Sequence, residues 1–107
     1  MDGMMPGIRK HKSASLRIAM PESLPEDMRD GVSEIVGVSS GNQRKGHATA
    51  LLRKVCKEAD KDHQVLMLRV ESYDDGMSND QLISWYGKIG FAVIQREPAV
   101  LMAREPK

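Results

Sequence analysis

The sequence predicts a mixed α/β domain: one sheet carrying two main helices. Three observations carry that prediction. Residues 46–60 repeat apolar side chains every three or four positions, the period of a helix buried on one side. Segments near residues 15–20, 32–39, 65–70 and 91–104 show the alternating or continuous apolar runs of strands. A capping signature at Ser78 opens a second helix, which Gly90 closes.

The elements follow in order. Residues 1–14 read as a flexible basic tail, because Gly3, Pro6 and Gly7 alternate with charged residues. Ser15-Leu16-Arg17-Ile18-Ala19-Met20 alternates polar and apolar, as a half-buried strand does. Pro21, Pro25 and Gly31 mark residues 21–31 as a loop. Residues 32–39 form the next strand. In the helix at 46–60, Ala48, Leu51, Leu52, Val55, Cys56 and Ala59 share one stripe, and Arg53, Lys54, Lys57 and Glu58 lie opposite. Val65-Leu66-Met67-Leu68-Arg69-Val70 is nearly continuous apolar, as a central strand is. Ser78 with Gln81 three residues on forms a capping box, so a helix starts near Asn79. Residues 91–95 and 100–104 form a hairpin across Arg96-Glu97-Pro98-Ala99. Residues 15–107 thus make a single domain.

Composition narrows the function. The chain has 107 residues, room for one small domain. Sixteen basic and fifteen acidic side chains nearly cancel, which argues against a nucleic-acid binder. Arg9, Lys10, His11 and Lys12 are a local exception, read as a solvated tail rather than a nucleic-acid arm. The single Cys56 excludes an internal disulfide and fits a buried small hydrophobe. No apolar run reaches the length of a membrane span, and no secretory signal pattern opens the chain. A soluble cytoplasmic protein is expected. His11 and His63 lack a partner pattern, so no metal site is expected.

The most informative stretch is one junction. Ile35-Val36-Gly37-Val38 reads as a strand, Ser39-Ser40-Gly41-Asn42 as a polar turn, and Gln43-Arg44-Lys45-Gly46-His47-Ala48-Thr49 as a loop entering a helix. A helix start leaves backbone N–H groups without partners and carries partial positive charge. The two effects together favour a phosphate group. Gly46 and Ala48 keep bulk away from the backbone, while Arg44 and Lys45 add positive charge. The junction reads as a pyrophosphate-binding loop.

Gln43-x-x-Gly46-x-Ala48 resembles the Arg/Gln-x-x-Gly-x-Gly/Ala signature of the GCN5-related N-acetyltransferases. Downstream, Asn79, Tyr86, Gly90 and Phe91 fall at positions similar to that family's second motif. The resemblance covers roughly residues 32–105. It implies a mostly antiparallel twisted sheet whose two central strands splay apart to admit the pantetheine arm of acetyl-CoA, with no metal involved. Gly37 would suit that close approach; it would equally suit a bulge or a packing gap. The chain departs from the family at its front. Members typically carry a strand and two helices there, and short phage-encoded members share the reduced outline.

The resemblance also implies roles. Val36 and Val38 line the splayed strand, and a backbone N–H near Val38 would face the thioester carbonyl. Residues Gln43, Arg44, Lys45, Gly46, His47, Ala48 and Thr49 surround the pyrophosphate, mainly through the backbone from Arg44 to Thr49. Asn79 would hydrogen-bond the cofactor arm, or else cap the helix. Tyr86 would donate a proton to the departing thiolate, since a phenol of pKa about 10 is protonated at neutral pH. Strand parity points Glu34 to the same face as Val36 and Val38, making it a candidate general base. It stands two residues after the family's usual position, Val32 here. Glu71, Asp74 and Asp75 are alternatives.

The expected activity is transfer of an acetyl group from acetyl-CoA to a primary amine, by direct attack in a ternary complex. The acceptor could be a protein lysine, a protein N-terminus or a small amine. A second subunit, as in a homodimer, could complete the short front. The rival reading is an acetyl-CoA-binding or protein-interaction module with little catalytic activity.

Overall fold

The computed structural model describes residues 4–21, 24–40, 45–71 and 78–107. The chain runs β1 (Gly7–His11), β2 (Ala14–Ala19), a short 3-10 helix (Glu26–Met28), β3 (Val32–Ser40), α1 (Lys45–Lys61), β4 (Val65–Arg69), α2 (Asn79–Ile89), β5 (Ala92–Gln95) and β6 (Leu101–Arg104). The strands form one six-stranded sheet in the order β1-β2-β3-β4-β6-β5. Neighbours are antiparallel except β3 and β4, which α1 connects as a parallel pair.

One face of the sheet holds the core. Ala14, Leu16 and Ile18 of β2, Ile35 of β3, Leu66 and Leu68 of β4 and Met102 of β6 point there. The apolar stripe of α1 packs on them; Leu52 and Ala59 have no exposed surface. Each fully buried leucine contributes about 1.5–3 kcal/mol. Leu82, Tyr86 and Ile89 of α2 join the same cluster. Ser78 and Gln81 form the expected capping box, and Gly90 ends α2 at φ +117° in the left-handed region. The opposite face carries Arg17, Glu34, Val36, Met67 and Ala103, by register, and neither long helix packs on it.

Two expectations need correction. The segment expected as a tail contributes β1, an edge strand in register with β2 from Gly7↔Ile18 to His11↔Ala14. Its charged side chains are not all solvated. Arg9 donates to both oxygens of Glu58 on α1, at 3.0 and 2.7 Å, and so ties the strand to the helix. The common face expected for Glu34, Val36 and Val38 does not hold either. Arg17 pairs with Val36 and Ser15 with Ser39, so two residues of β3 stand opposite Leu16 alone. Gly37, at φ +66°, makes this bulge, which costs a glycine no steric clash. The extra residue shifts parity, and Val38 packs against the core while Glu34 and Val36 stay on the other face.

Candidate functional site

β3 and β4 are paired only from Val32↔Val65 to Ile35↔Leu68. β3 then continues to Ser40 alongside β2, whereas β4 stops at Arg69. The stretch from Val36 to Ser40 therefore has no β4 partner, and the sheet is open between its central strands. This is the splay that the resemblance implies.

The open edge leads to the start of α1. In a helix beginning at Lys45, the N–H groups up to His47 have no intrahelical acceptor. The first turn holds no acidic residue, although carboxylates are favoured there. The first acidic side chain of α1 is Glu58, more than three turns on, and Arg9 occupies it. The positive end of this helix is thus left uncompensated from within. Gly46 is exposed, and a Cβ built there would meet nothing within 4 Å among the described residues. Packing does not demand a glycine at that position. Ala48, by contrast, is 5% exposed and belongs to the core. The Thr49 hydroxyl accepts a hydrogen bond from Trp85 Nε1 at 3.0 Å. His47 Nδ1 lies 2.6 Å from the Ser13 hydroxyl of the β1–β2 turn. Gln43 and Arg44 lie outside the described residues, as do Asp74 and Asp75.

The Trp85–Thr49 bond fastens α2 to the second turn of α1. Tyr86, beside Trp85, belongs to the core cluster against which Val38 packs. Tyr86 is 7% exposed, its ring 4.9 Å from Trp85 and 5.9 Å, edge-on, from Phe91. Asn79 is the first residue of α2 and is exposed; Ser78 does the capping, so the Asn79 amide is not used as the cap. Glu34 stands on the sheet face away from Tyr86, between Ala19 and Met67 in register. Glu71 is half-exposed and 3.9 Å from Arg69, a surface pair of small energetic weight. A cavity of about 750 Å³ opens at the other end of the strands, beside the Glu34 end of β3 and away from the start of α1, lined by Met4, Met20, Arg29, Val32 and Gln64 among others.

The pairing of Ser13 and His11 with α1 was not legible in sequence, because His47 and Lys54 lie 34 and 43 positions further on. Among the described residues, no group of three or more His, Cys, Asp or Glu could hold a metal ion. No described helix is long and apolar enough to cross a membrane.

No protein-family model and no curated protein matches the chain. Solved structures do. The anti-CRISPR protein AcrVA5 superposes with a TM-score of 0.70 at 16% identity, over 92% of this chain and 98% of that one. An acyl-CoA N-acyltransferase from Pseudomonas aeruginosa gives 0.60 at 20% identity, over 85% of this chain and 59% of that one. Tetrahymena GCN5 gives 0.56 at 15% identity, over 88% and 60%. The chain therefore matches the anti-CRISPR protein along its length and spans about three fifths of the two larger proteins. At these identities the likeness speaks to architecture, and the architecture is the GCN5-related acyl-CoA N-acyltransferase fold.

Proposed function

We propose that this chain transfers an acetyl group from acetyl-CoA to a primary amine. The observation that supports this reading is the β3 edge left unpaired beyond Ile35, which runs toward the acid-free start of α1, with Val38 packed against the cluster that holds Tyr86. The diphosphate of acetyl-CoA would meet the backbone N–H groups at Lys45, Gly46 and His47, where the open space over Gly46 lets an anion approach. The arm of the carrier would run beside Val36 and Val38, with Asn79 within reach on α2.

The two faces of the sheet would then divide the chemistry. The thioester comes from the helix side. The amine would come from the side that neither long helix covers, where Glu34 would take its proton. As nitrogen attacks the carbonyl carbon, negative charge grows on the carbonyl oxygen, and a backbone N–H near Val38 would stabilise it. The C–S bond breaks, and the Tyr86 hydroxyl donates to the leaving sulfur. The acceptor class that best suits a face free of the long helices is a lysine or N-terminus on a protein. The close packing of Tyr86 between Trp85 and Phe91 favours a second reading, a cofactor-binding module with little turnover.

Thiol release from acetyl-CoA tests the proposal. Release that requires a lysine-bearing peptide or a small amine, with the acetyl group recovered on the amine, is the expected result. Tight acetyl-CoA binding without amine-dependent release would favour the module.

A further inference from the structure

The β1–β2 turn carries a cluster whose side chains the acetyl-transfer reading does not use. Lys12 and Ser13 form the turn between the paired residues His11 and Ala14. The Ser13 hydroxyl meets His47 Nδ1 at 2.6 Å, and Lys54 Nζ meets His11 Nδ1 at 3.4 Å. Two contacts thus press the turn against α1. His47 and Lys54 are seven residues apart, about 10 Å along a helix. His11, Lys12, His47 and Lys54 thereby line up beside the first three turns of α1.

Among the described residues no carboxylate pairs with any of the four, and Glu58 is held by Arg9. Partial desolvation, then the charges of Lys54, Lys12 and His47, hold the His11 imidazole below its ordinary range. The cluster repels itself. Lys12 also adopts φ +54°, a conformation that usually favours glycine. A cation is kept at the turn despite both costs, and a bound anion would relieve the first.

We propose that Lys12 and Lys54, with His11 and the Ser13–His47 pair, form a subsite for the 3′-phosphate of coenzyme A. This deepens the acetyl-CoA reading and rests on it. A phosphate monoester carries between one and two negative charges at neutral pH and accepts several hydrogen bonds. Two lysines, a hydroxyl and an imidazole supply that charge and those donors, next to the helix start that would hold the diphosphate. The turn would then distinguish coenzyme A from carriers that lack the third phosphate.

Calorimetry with coenzyme A and 3′-dephospho-coenzyme A tests this, using the full chain and the double variant Lys12→Ala/Lys54→Ala. Both lysines are exposed, and a thermal melt verifies that the variant folds. Wild type should bind coenzyme A about tenfold more tightly than the dephospho form, the scale of one charge-assisted contact. The double variant should bind both alike, and Lys12→Arg/Lys54→Arg should restore the preference. Equal affinity of wild type for the two ligands would overturn the subsite and leave the acetyl-CoA reading standing. Binding of neither ligand would overturn that reading and the subsite with it. Equal affinity together with a labelled oligonucleotide that only wild type retains would assign the cluster to nucleic acid instead.

Discussion

Tyr86 carries two incompatible explanations, and one atom separates them. Its ring is packed against Trp85 and Phe91, so a purely structural role needs only the ring. A proton donor needs the hydroxyl. Tyr86→Phe keeps the ring and removes the oxygen. Turnover should fall by about 10²-fold, with acetyl-CoA affinity little changed, in steady-state kinetics paired with calorimetry. Equal turnover would assign Tyr86 to packing. At this scale the sequence was informative where chemistry is local. Ser78 with Gln81, and Gly90, were legible because a cap is settled within four residues. The bulge at Gly37 was legible only as a glycine within a strand. Its consequence, moving Val38 to the core face, depends on which residue of β2 stands opposite.

Among the elements, α1 is the hub, tied by side chains at both ends. Near its start Thr49 holds Trp85 of α2; in its last turns Glu58 holds Arg9 of β1 and Asp60 holds Arg104 of β6. Arg104 is 6% exposed and bidentate to Asp60, at 2.8 and 3.2 Å. Removing the carboxylate strands a buried guanidinium, so Asp60→Ala should cost about 3 kcal/mol in chemical denaturation. The pair also sets a pH dependence. The Arg104 hydrogen bond first, then the Lys107 backbone N–H, hold the Asp60 carboxyl below its ordinary range. The folded state therefore binds that proton less readily than the unfolded chain. The stabilisation is complete above about pH 4 and is lost as pH falls through the lowered folded value. Asp60→Asn should remove that part of the acid slope in denaturation curves recorded from about pH 5 downward. A slope unchanged in Asp60→Asn would place the acid sensitivity elsewhere. The helix and its stripe were legible from periodicity. These ties were not, since each joins residues more than thirty positions apart.

For the whole molecule, the segment first read as a tail is part of the sheet. Arg9, Lys10, His11 and Lys12 look like a solvated run in sequence, because Glu58 and Lys54 on α1 lie more than forty residues away. Deleting residues 1–11 should expose the edge of β2, where Leu16 and Ile18 are buried, and lower the melting temperature by several degrees or more, about 4–8 °C per kcal/mol lost. An unchanged melt would return the segment to the status of a tail. The sheet order and the opening between β3 and β4 leave an unpaired strand edge that runs toward the start of α1, and leave one face of the sheet uncovered by the long helices. The acyl-CoA reading depends on that arrangement.

Its most direct test is calorimetric titration of wild type and Gly46→Asp with acetyl-CoA. Position 46 is exposed, has no described residue within 4 Å of a new Cβ, and lies in a first turn that tolerates a carboxylate. The variant should therefore melt like wild type. Wild type should bind at a dissociation constant on the order of micromolar, and Gly46→Asp should show no binding. Equal binding by a folded Gly46→Asp, or no binding by wild type at millimolar ligand, would contradict the account.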